Sequence, residues 1–161
     1  MQLRAVTEAD LSSLIKLENE GFTSDEAATP EALKERIGKI PDTFIIAENA
    51  GQILGYINGP VITQRYITDD LFETSERNPE YGGYLSVLGL VVSKSSQGQG
   101  IAGQLLKAFE DLARQHSRHA VTLTCHEALV PFYEHYGYIN EGASTSQHAG
   151  IKCITWLKKY N

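Results

Sequence analysis

The chain has 161 residues, 42% hydrophobic and 21% charged, which is an ordinary balance for a globular protein able to bury a core. Its formal net charge of −6 argues against a nucleic-acid partner and against an anionic membrane surface. It has no long apolar run, no signal-peptide pattern at its N-terminus and only two cysteines. We therefore expect one domain over residues 1–161, a reducing cytoplasmic setting and no disulfide framework.

The first part of the chain predicts a strand, two helices and a β-hairpin. Thr7 and Asp10 have the spacing of a capping box at the first helix start, and Thr29-Pro30 is typical of a second one. Asn49-Ala50-Gly51 is expected to be the hairpin turn. In order, the elements are a strand over 2–6, helices ending near 21 and 40, and strands over 43–48 and 52–63. The first helix presents Leu11, Leu14, Ile15 and Glu18 on one face.

Residues 64–83 show the least regular pattern and are rich in carboxylates. A run of charge is usually a solvated face, but long loops in compact domains are often functional. We keep both interpretations, a solvated face or an acidic loop that attracts a cationic ligand. The carboxylates are Asp69, Asp70, Glu73, Glu76 and Glu80, against Arg65 and Arg77.

The second part of the chain alternates strands and helices. Because a helix connects the strands over 88–92 and 120–124, we expect these two to be parallel. Pro131 is tolerated only in a first turn, which places the start of the last helix near Ala128. His116 and His119 have no third ligand nearby, so no metal site is predicted. The elements are a strand over 88–92, a helix to about 116, a strand over 120–124, a helix to about 137, and strands over 138–143 and 151–157 joined by a polar loop over 144–150.

A glycine-rich turn follows the apolar strand over 88–92. Gly98, Gly100 and Gly103 lie where a helix begins, and Gly89 suggests a bulge in the strand. The first N–H groups of a helix lack partners, and glycines allow an anion to approach them closely. The turn therefore predicts a phosphate site. Since no lysine or arginine occurs in this turn, main-chain N–H groups would hold the phosphate.

Three known glycine patterns can be compared with this turn. The P-loop is excluded because its lysine is missing. Gly98, Gly100 and Gly103 match the dinucleotide fingerprint G-x-G-x-x-G, although residues 93–97 separate it from its strand and it lies past mid-chain. A glycine-rich loop without a ligand stays open as well.

Two motifs resemble the GNAT superfamily of N-acetyltransferases. Residues 97–102, Gln-Gly-Gln-Gly-Ile-Ala, are similar to its Q/R-x-x-G-x-G/A signature. Residues 128–133, Ala-Leu-Val-Pro-Phe-Tyr, resemble a motif of its arylalkylamine N-acetyltransferases. The resemblance implies an α/β fold of the three-layer α+β kind, with about four helices. Its mixed, mostly antiparallel central sheet would be splayed at the fourth and fifth strands, and the pantetheine arm of acetyl-CoA would enter the gap.

The resemblance also implies which residues touch each substrate. Those expected at acetyl-CoA are Leu90, Val91, Val92, Gln97, Gly98, Gln99, Gly100, Ile101, Ala102, Gly103, Ala128, Phe132 and Tyr133. Those expected at the acceptor are Phe22, Pro30, Tyr84 and Leu88.

Acyl transfer to an amine needs a proton acceptor, because only about one part in a thousand of a lysine-like amine is neutral at pH 7. The resemblance implies that Tyr133 returns a proton to the coenzyme A thiolate. The sequence departs from the family at the base, since Ser86 and Leu88 align where the vertebrate arylalkylamine enzymes carry two histidines. We keep Ser86 as a catalytic candidate. The candidate substitutes for the base, acting directly or through water, are Glu26, Glu80, Tyr84, Ser86 and His126.

The expected function is transfer of acetyl from acetyl-CoA to a primary amine, an arylalkylamine-like compound or a polyamine. Cys125 could carry the acetyl group in a ping-pong route, but a buried structural cysteine is the better interpretation, so we expect direct attack in a ternary complex. A protein N-terminus or lysine as acceptor, a non-catalytic acyl-CoA-binding module and a hydride-transfer enzyme are the alternatives. A small-molecule partner is expected, and the sequence leaves room for a homodimer.

Overall fold

The computed structural model describes residues 1–144 and 150–157, so residues 145–149 of the predicted polar loop lie outside it. The α-helices in this part are α1 (Leu11–Gly21), α2 (Pro30–Lys39), α3 (Ile101–Gln115) and α4 (Val130–His135). The strands are β1 (Gln2–Ala5), β2 (Phe44–Asn49), β3 (Gln52–Asn58), β4 (Val61–Ile62), β5 (Tyr84–Val87), β6 (Gly89–Val92), β7 (Ala120–Cys125), β8 (Ile139–Ala143) and β9 (Ile151–Trp156). None of the described helices is long and apolar enough to cross a membrane.

Local sequence accounts for the helix starts. The Thr7 N–H donates to the Asp10 carboxylate at 2.8 Å, which completes the predicted box before α1. The Thr29 hydroxyl accepts from the Ala32 N–H at 3.1 Å, and Pro30 takes the first position of α2. Pro131 lies in the first turn of α4, as its missing N–H requires.

The strands form two sheets, and the chain passes between them more than once. One has the order β1-β2-β3-β6 and is antiparallel throughout, and the other has the order β4-β5-β7-β9-β8. In the second sheet, β5 and β7 are parallel and the other neighbours antiparallel. This confirms the prediction of a mixed, mostly antiparallel fold with four helices.

The parallel pair differs from the predicted one. We expected residues 88–92 beside residues 120–124, but the parallel neighbour of β7 is β5, in the register Val87 to Leu123. Residues 84–92 are extended on both sides of Leu88, and there the chain passes from one sheet to the other. The predicted strand over 52–63 divides in the same way, into β3 and β4.

A close backbone contact explains where both strands change sheet. A Cβ added at Gly59 would lie 1.8 Å from the Ser86 carbonyl oxygen, so only glycine permits this approach. Beside it, the Leu88 N–H donates to the Asn58 carbonyl at 2.8 Å. The two crossover points therefore lie against each other at the centre of the molecule.

Helices cover both faces of the first sheet. Along β2, Phe44 and Ile46 pack in a cluster with α1 and α2, whereas Ile45 and Ala47 pack in a second cluster with α3. A strand buried on both faces has a continuous apolar sequence, as this one does. The resulting layers place α1 on one side of β6 and α3 on the other.

Candidate active site

The two strands at the centre diverge after Leu88. The pairing of β5 with β7 ends at Val87 and Leu123. Beyond that point β6 turns to pair with β3, while β7 continues to Cys125 beside β9. Within the described residues β6 has no second neighbour, so one of its edges faces a gap.

Alternate residues of β6 present their main-chain groups to this gap. The Ser93 N–H, just past the strand, donates to a carbonyl of β3 at 2.8 Å. The hydrogen bonds of an antiparallel ladder alternate along a strand. The main-chain groups of Val91 therefore also face β3, whereas those of Leu90 and Val92 face the gap. The Gln97 side chain donates to the Val92 carbonyl at 3.1 Å, as this direction allows.

A cavity of about 530 Å³ is lined by both diverging strands and by the loops above them. The loops are the one between α1 and α2 and the acidic one over 64–83. The apolar side chains that line the cavity include Phe22, Ile67, Phe72, Leu88, Leu123 and Leu129. The ionisable ones are Glu18, Asp25, Glu26, Arg36, Glu73 and His126.

Tyr133 and Cys125 line the side of the cavity formed by α4 and β7. Tyr133 is buried, and its ring contacts Phe132 and Tyr138 edge-on. Burial raises the pKa of its hydroxyl, so it holds its proton and can act as an acid. Burial also raises the pKa of the Cys125 thiol to about 12, which leaves little thiolate at neutral pH.

Two side chains from distant segments meet at the cavity. Glu26, in the loop after α1, and His126, after β7, are in contact, with 3.0 Å between Oε2 and Nε2. The His126 side chain is 62% exposed and that of Glu26 is 33% exposed. Both residues line the cavity and are accessible to solvent, so this pair can exchange protons with water.

A buried carboxylate occupies the α1 side of the same cavity. Glu18 is 3% exposed, and it accepts hydrogen bonds from the Tyr56 hydroxyl and, at 2.7 Å, from the Ala28 N–H. Burial and the negative charge of Glu18 raise the pKa of the Tyr56 hydroxyl, so Tyr56 stays a donor. The carboxylate is therefore fixed in position by α1, β3 and the following loop.

Arg36 lies near Glu18 but hydrogen-bonds to other groups. Its guanidinium donates to the Asn58 side-chain oxygen at 3.3 Å and to the Phe72 carbonyl at 3.0 Å. Burial lowers its pKa, and the charge of Glu18 acts in the opposite direction. Arg36 thus attaches the acidic loop over 64–83 to the first sheet.

The glycine-rich turn has the geometry of an anion site. Gly98 and Gly100 have φ angles of +82° and +81°, a left-handed conformation that favours glycine, and Gly100 is the N-cap of α3. A Cβ added at either position would meet no atom within 4 Å, so space is open beside the first N–H groups of α3. These residues fit a phosphate held by main-chain groups.

Comparisons with known proteins agree with this geometry. The family profile described as "Acetyltransferase (GNAT) domain" matches residues 10–159. This chain belongs to the GNAT acetyltransferase family. It is therefore an enzyme of the acyltransferase class.

Individual relatives are distant. Serotonin N-acetyltransferase of Mesocricetus auratus is 25% identical over 140 residues, covering 85% of this chain and 67% of that protein. The structure of a GphF GNAT-like decarboxylase in complex with isobutyryl-CoA has a TM-score of 0.84 at 17% identity, covering 98% of this chain and 100% of the other. The structure of yncA from Salmonella typhimurium with its cofactor acetyl-CoA has a TM-score of 0.71 at 14% identity, covering 100% and 96%. The structural likeness shows a GNAT fold.

Several residues that the sequence assigned to the GNAT site do not line the cavity. Ser86 is fully buried, and its hydroxyl donates to the Pro60 carbonyl at 2.7 Å, so we remove it from the mechanism. Tyr84 packs on His119 and Trp156 instead. Pro30, Ala128 and Phe132 adjoin the lining residues Thr29, Leu129 and Tyr133 without being among them.

Other residues of the GNAT cavity were missed as functional residues. Glu18 was placed on one face of the first helix with Leu11, Leu14 and Ile15 but given no role, and a carboxylate on an apolar face is the signal that could have found it. Glu73 was noted only as part of the acidic loop, and it lines the cavity. Arg36 gives no sequence signal, because its partners are far away along the chain.

Proposed function

We propose that this GNAT enzyme transfers acetyl from acetyl-CoA to the primary amine of a small molecule, by direct attack in a ternary complex. One observation carries the proposal. A single cavity is lined by the diverging strands β6 and β7 on one side and by ionisable side chains on the other. An acyl thioester on the strand edge and an amine in the acidic part would therefore meet inside one space.

The groups around β6 and α3 fit acetyl-CoA. Leu90 and Val92 would pair with the pantetheine arm through the main-chain groups that face the gap, with Val91 between them fixed to β3. The main-chain N–H groups at the start of α3 would hold the pyrophosphate, with Gly98, Gln99, Gly100, Ile101, Ala102 and Gly103 forming the cradle. Gln97 supports this cradle by its bond to Val92.

The Glu26–His126 pair supplies the proton acceptor that the sequence left open. The imidazole of His126 would take a proton from the incoming ammonium, directly or through a water, so that the neutral amine can attack. The Glu26 carboxylate at 3.0 Å orients the ring and stabilises the imidazolium that forms. Because the pair is partly exposed, it can release the proton to solvent after each turnover.

Tyr133 would complete the transfer on the opposite side of the cavity. As the amine attacks the thioester carbonyl, a main-chain N–H of β6 would stabilise the developing oxyanion. The Tyr133 hydroxyl, kept protonated by burial, would donate to the leaving thiolate. The raised pKa of Cys125 leaves it a thiol, which favours direct transfer over a covalent acetyl-cysteine.

The acceptor would be an arylalkylamine-like compound or a polyamine, bound between Phe22 on the α1–α2 loop and Leu88 at the strand break. A protein N-terminus or lysine is the alternative acceptor, and an acyl-CoA-binding module without turnover is the alternative from another class. Both can be distinguished from the proposal in one assay, because each predicts a different dependence on the amine.

The experiment measures release of free coenzyme A thiol from acetyl-CoA with aromatic ethylamines, polyamines, amino acids and short peptides. We expect amine-dependent release with at least one small amine. Release only with peptides would support the protein-acceptor alternative. Tight binding of coenzyme A by calorimetry without release on the whole panel would contradict the proposed function and support the binding module.

A further inference from the structure

Glu18 is a buried carboxylate in the active-site cavity that forms no salt bridge within the described residues. Glu18 accepts two hydrogen bonds, one from the Tyr56 hydroxyl and one from the Ala28 N–H, and both donors are uncharged. No lysine, arginine or histidine nitrogen of the described residues forms a salt bridge with it. A carboxylate can accept about four hydrogen bonds, so Glu18 can accept further ones from a ligand.

The nearby Arg36 interacts with Glu18 through its charge but forms no salt bridge with it. The hydrogen bonds of Arg36 run to Asn58 and to the Phe72 carbonyl, so its guanidinium is oriented by neutral oxygens. Glu18 in turn keeps its oxygens toward Tyr56 and Ala28. The carboxylate is thus held rigidly at the cavity wall with remaining capacity for a cationic ligand.

We propose that the acceptor is an aliphatic diamine or polyamine whose second ammonium group binds Glu18 while the first is acetylated. This inference rests on the proposed function and names the substrate class of the same site. It makes Glu18 a specificity-determining residue, distinct from the proton acceptor at His126.

A second ammonium fits Glu18 better than the reacting one does. A carboxylate that pairs with an ammonium group in a buried site stabilises its charged form and so resists loss of the proton. The reacting nitrogen needs the reverse, and the partly exposed Glu26–His126 pair can provide it. A second ammonium group that keeps its proton at Glu18 therefore assists binding without opposing deprotonation of the reacting amine.

The rest of the cavity favours a diamine over an amino acid. Asp25, Glu26 and Glu73 add three more carboxylates to the lining. They attract a dication, and they repel a ligand that carries its own carboxylate. Between the charged groups, Phe22 and Leu88 offer apolar surface for a methylene spacer.

Three acceptors with five-carbon chains test this assignment. These are 1,5-diaminopentane, 1-aminopentane and lysine, which differ in the second ammonium and in the carboxylate. We expect kcat/KM for the diamine to exceed that for the monoamine by about 10- to 100-fold, since a hydrogen bond to a charged group contributes that much. Lysine is expected to be the poorer of the two dibasic acceptors.

Variants of Glu18 then connect this preference to one side chain. Glu18→Gln keeps the shape and removes the charge, so it should raise KM for the diamine by about 10- to 100-fold and leave KM for the monoamine nearly unchanged. Glu18→Asp keeps the charge and should retain part of the preference. Glu31→Gln, an exposed carboxylate on α2 outside the cavity, is the control and should change neither KM.

The outcomes separate this inference from the function on which it rests. Equal kcat/KM for monoamine and diamine in the unmodified enzyme, or a preference for lysine, would overturn the diamine assignment and leave N-acetyl transfer intact. A Glu18→Gln variant that loses both amines equally would also overturn it, since that is the mark of a structural role. No turnover of any amine, with coenzyme A still bound, would contradict the proposed function itself.

Discussion

Glu26 Oε2 and His126 Nε2 are 3.0 Å apart, although the two residues are 100 positions apart in the chain and belong to segments on different sides of the gap. Glu26 follows α1, and His126 follows β7 directly. The contact therefore links the loop over the acceptor part of the cavity to the strand that diverges from β6. This position is the reason that we propose the pair as the proton acceptor for an amine that enters between the two segments.

Removing the imidazole should slow the chemical step more than binding. We expect His126→Gln to lower kcat by about 10²- to 10⁴-fold with little change in KM for acetyl-CoA, because it removes a general base but not a CoA contact. His135→Gln, an exposed histidine whose ring packs on Tyr136, is the matched control. An aromatic amine that is already neutral at pH 7 should lose much less, and equal losses for both amines would argue against a base.

The hydroxyl of Tyr133 should matter for turnover and not for CoA affinity. We expect Tyr133→Phe to lower kcat by about 10²- to 10⁴-fold, with coenzyme A binding unchanged by calorimetry. Tyr136→Phe, on the same segment but outside the cavity lining, should leave kcat nearly unchanged.

The raised pKa of Tyr133 also predicts the pH profile. An acid acts only below its pKa, so this tyrosine should stay active through pH 9, and any alkaline loss of rate from it should lie above its usual value of about 10. The measurement is kcat against pH for the unmodified enzyme and Tyr133→Phe. A near-normal rate of the variant across the range would return Tyr133 to a packing role.

The glycine-rich turn can be tested with a pair of glycines that share one backbone conformation. Gly100 and Gly51 have φ angles of +81° and +80°, and a Cβ at either one meets no atom within 4 Å. Leucine at each position should therefore lower stability by a similar amount, about 1–2 kcal/mol. Only Gly100→Leu should also raise the coenzyme A dissociation constant, by at least about 10-fold, and an equal affinity in both variants would contradict the phosphate cradle.

Acid stability should depend on Asp10. The hydrogen bond from the Arg4 guanidinium is the main cause that holds the pKa of Asp10 below its usual value, and the Thr7 N–H contributes in the same direction. A lowered carboxyl pKa gives stability that is present above the unfolded value of about 3.9 and is lost as pH falls through the folded value.

The matching variant is Asp10→Asn. We expect the free energy of unfolding in urea to fall by about 1–2 kcal/mol at pH 7, and the difference from the unmodified protein to shrink as the pH drops below about 4. Asp111→Asn breaks an exposed pair with Arg114 and should change little at any pH. A constant difference down to pH 2 would contradict the assigned role of the Asp10 charge.

Local signals in the sequence predicted the elements of this fold well. The capping residues Thr7 and Thr29 and the position of Pro131 act within one helical turn, so their effect can be read from neighbouring residues. The passage of the chain between sheets at Leu88 depends on the approach of Gly59 to Ser86, which are 27 positions apart. No local pattern contains that contact, and the prediction of residues 88–92 as the parallel neighbour of residues 120–124 was therefore wrong.

In the candidate site, too, residues within contiguous motifs could be predicted, whereas contacts between distant segments could not. Leu90, Val92 and Tyr133 come from contiguous motifs, and the structure places all three around the diverging strands. Glu18 was placed on the same face of the first helix as Leu14, but its partner Tyr56 lies on another element, so its environment could not be derived from the helix alone. The alignment that made Ser86 a catalytic candidate did not show that its hydroxyl donates a hydrogen bond to the Pro60 carbonyl.

The most direct test of direct acetyl transfer follows an isotopic label from acetyl-CoA carrying a labelled acetyl group. The enzyme is mixed with labelled acetyl-CoA and 1,5-diaminopentane, and the amine, the protein and free acetate are analysed by mass spectrometry. The account predicts label on one nitrogen of the amine, in the same amount as the coenzyme A released, with none on Cys125. Label that accumulates on the protein, or that leaves as free acetate whether or not amine is present, would contradict direct transfer to an amine.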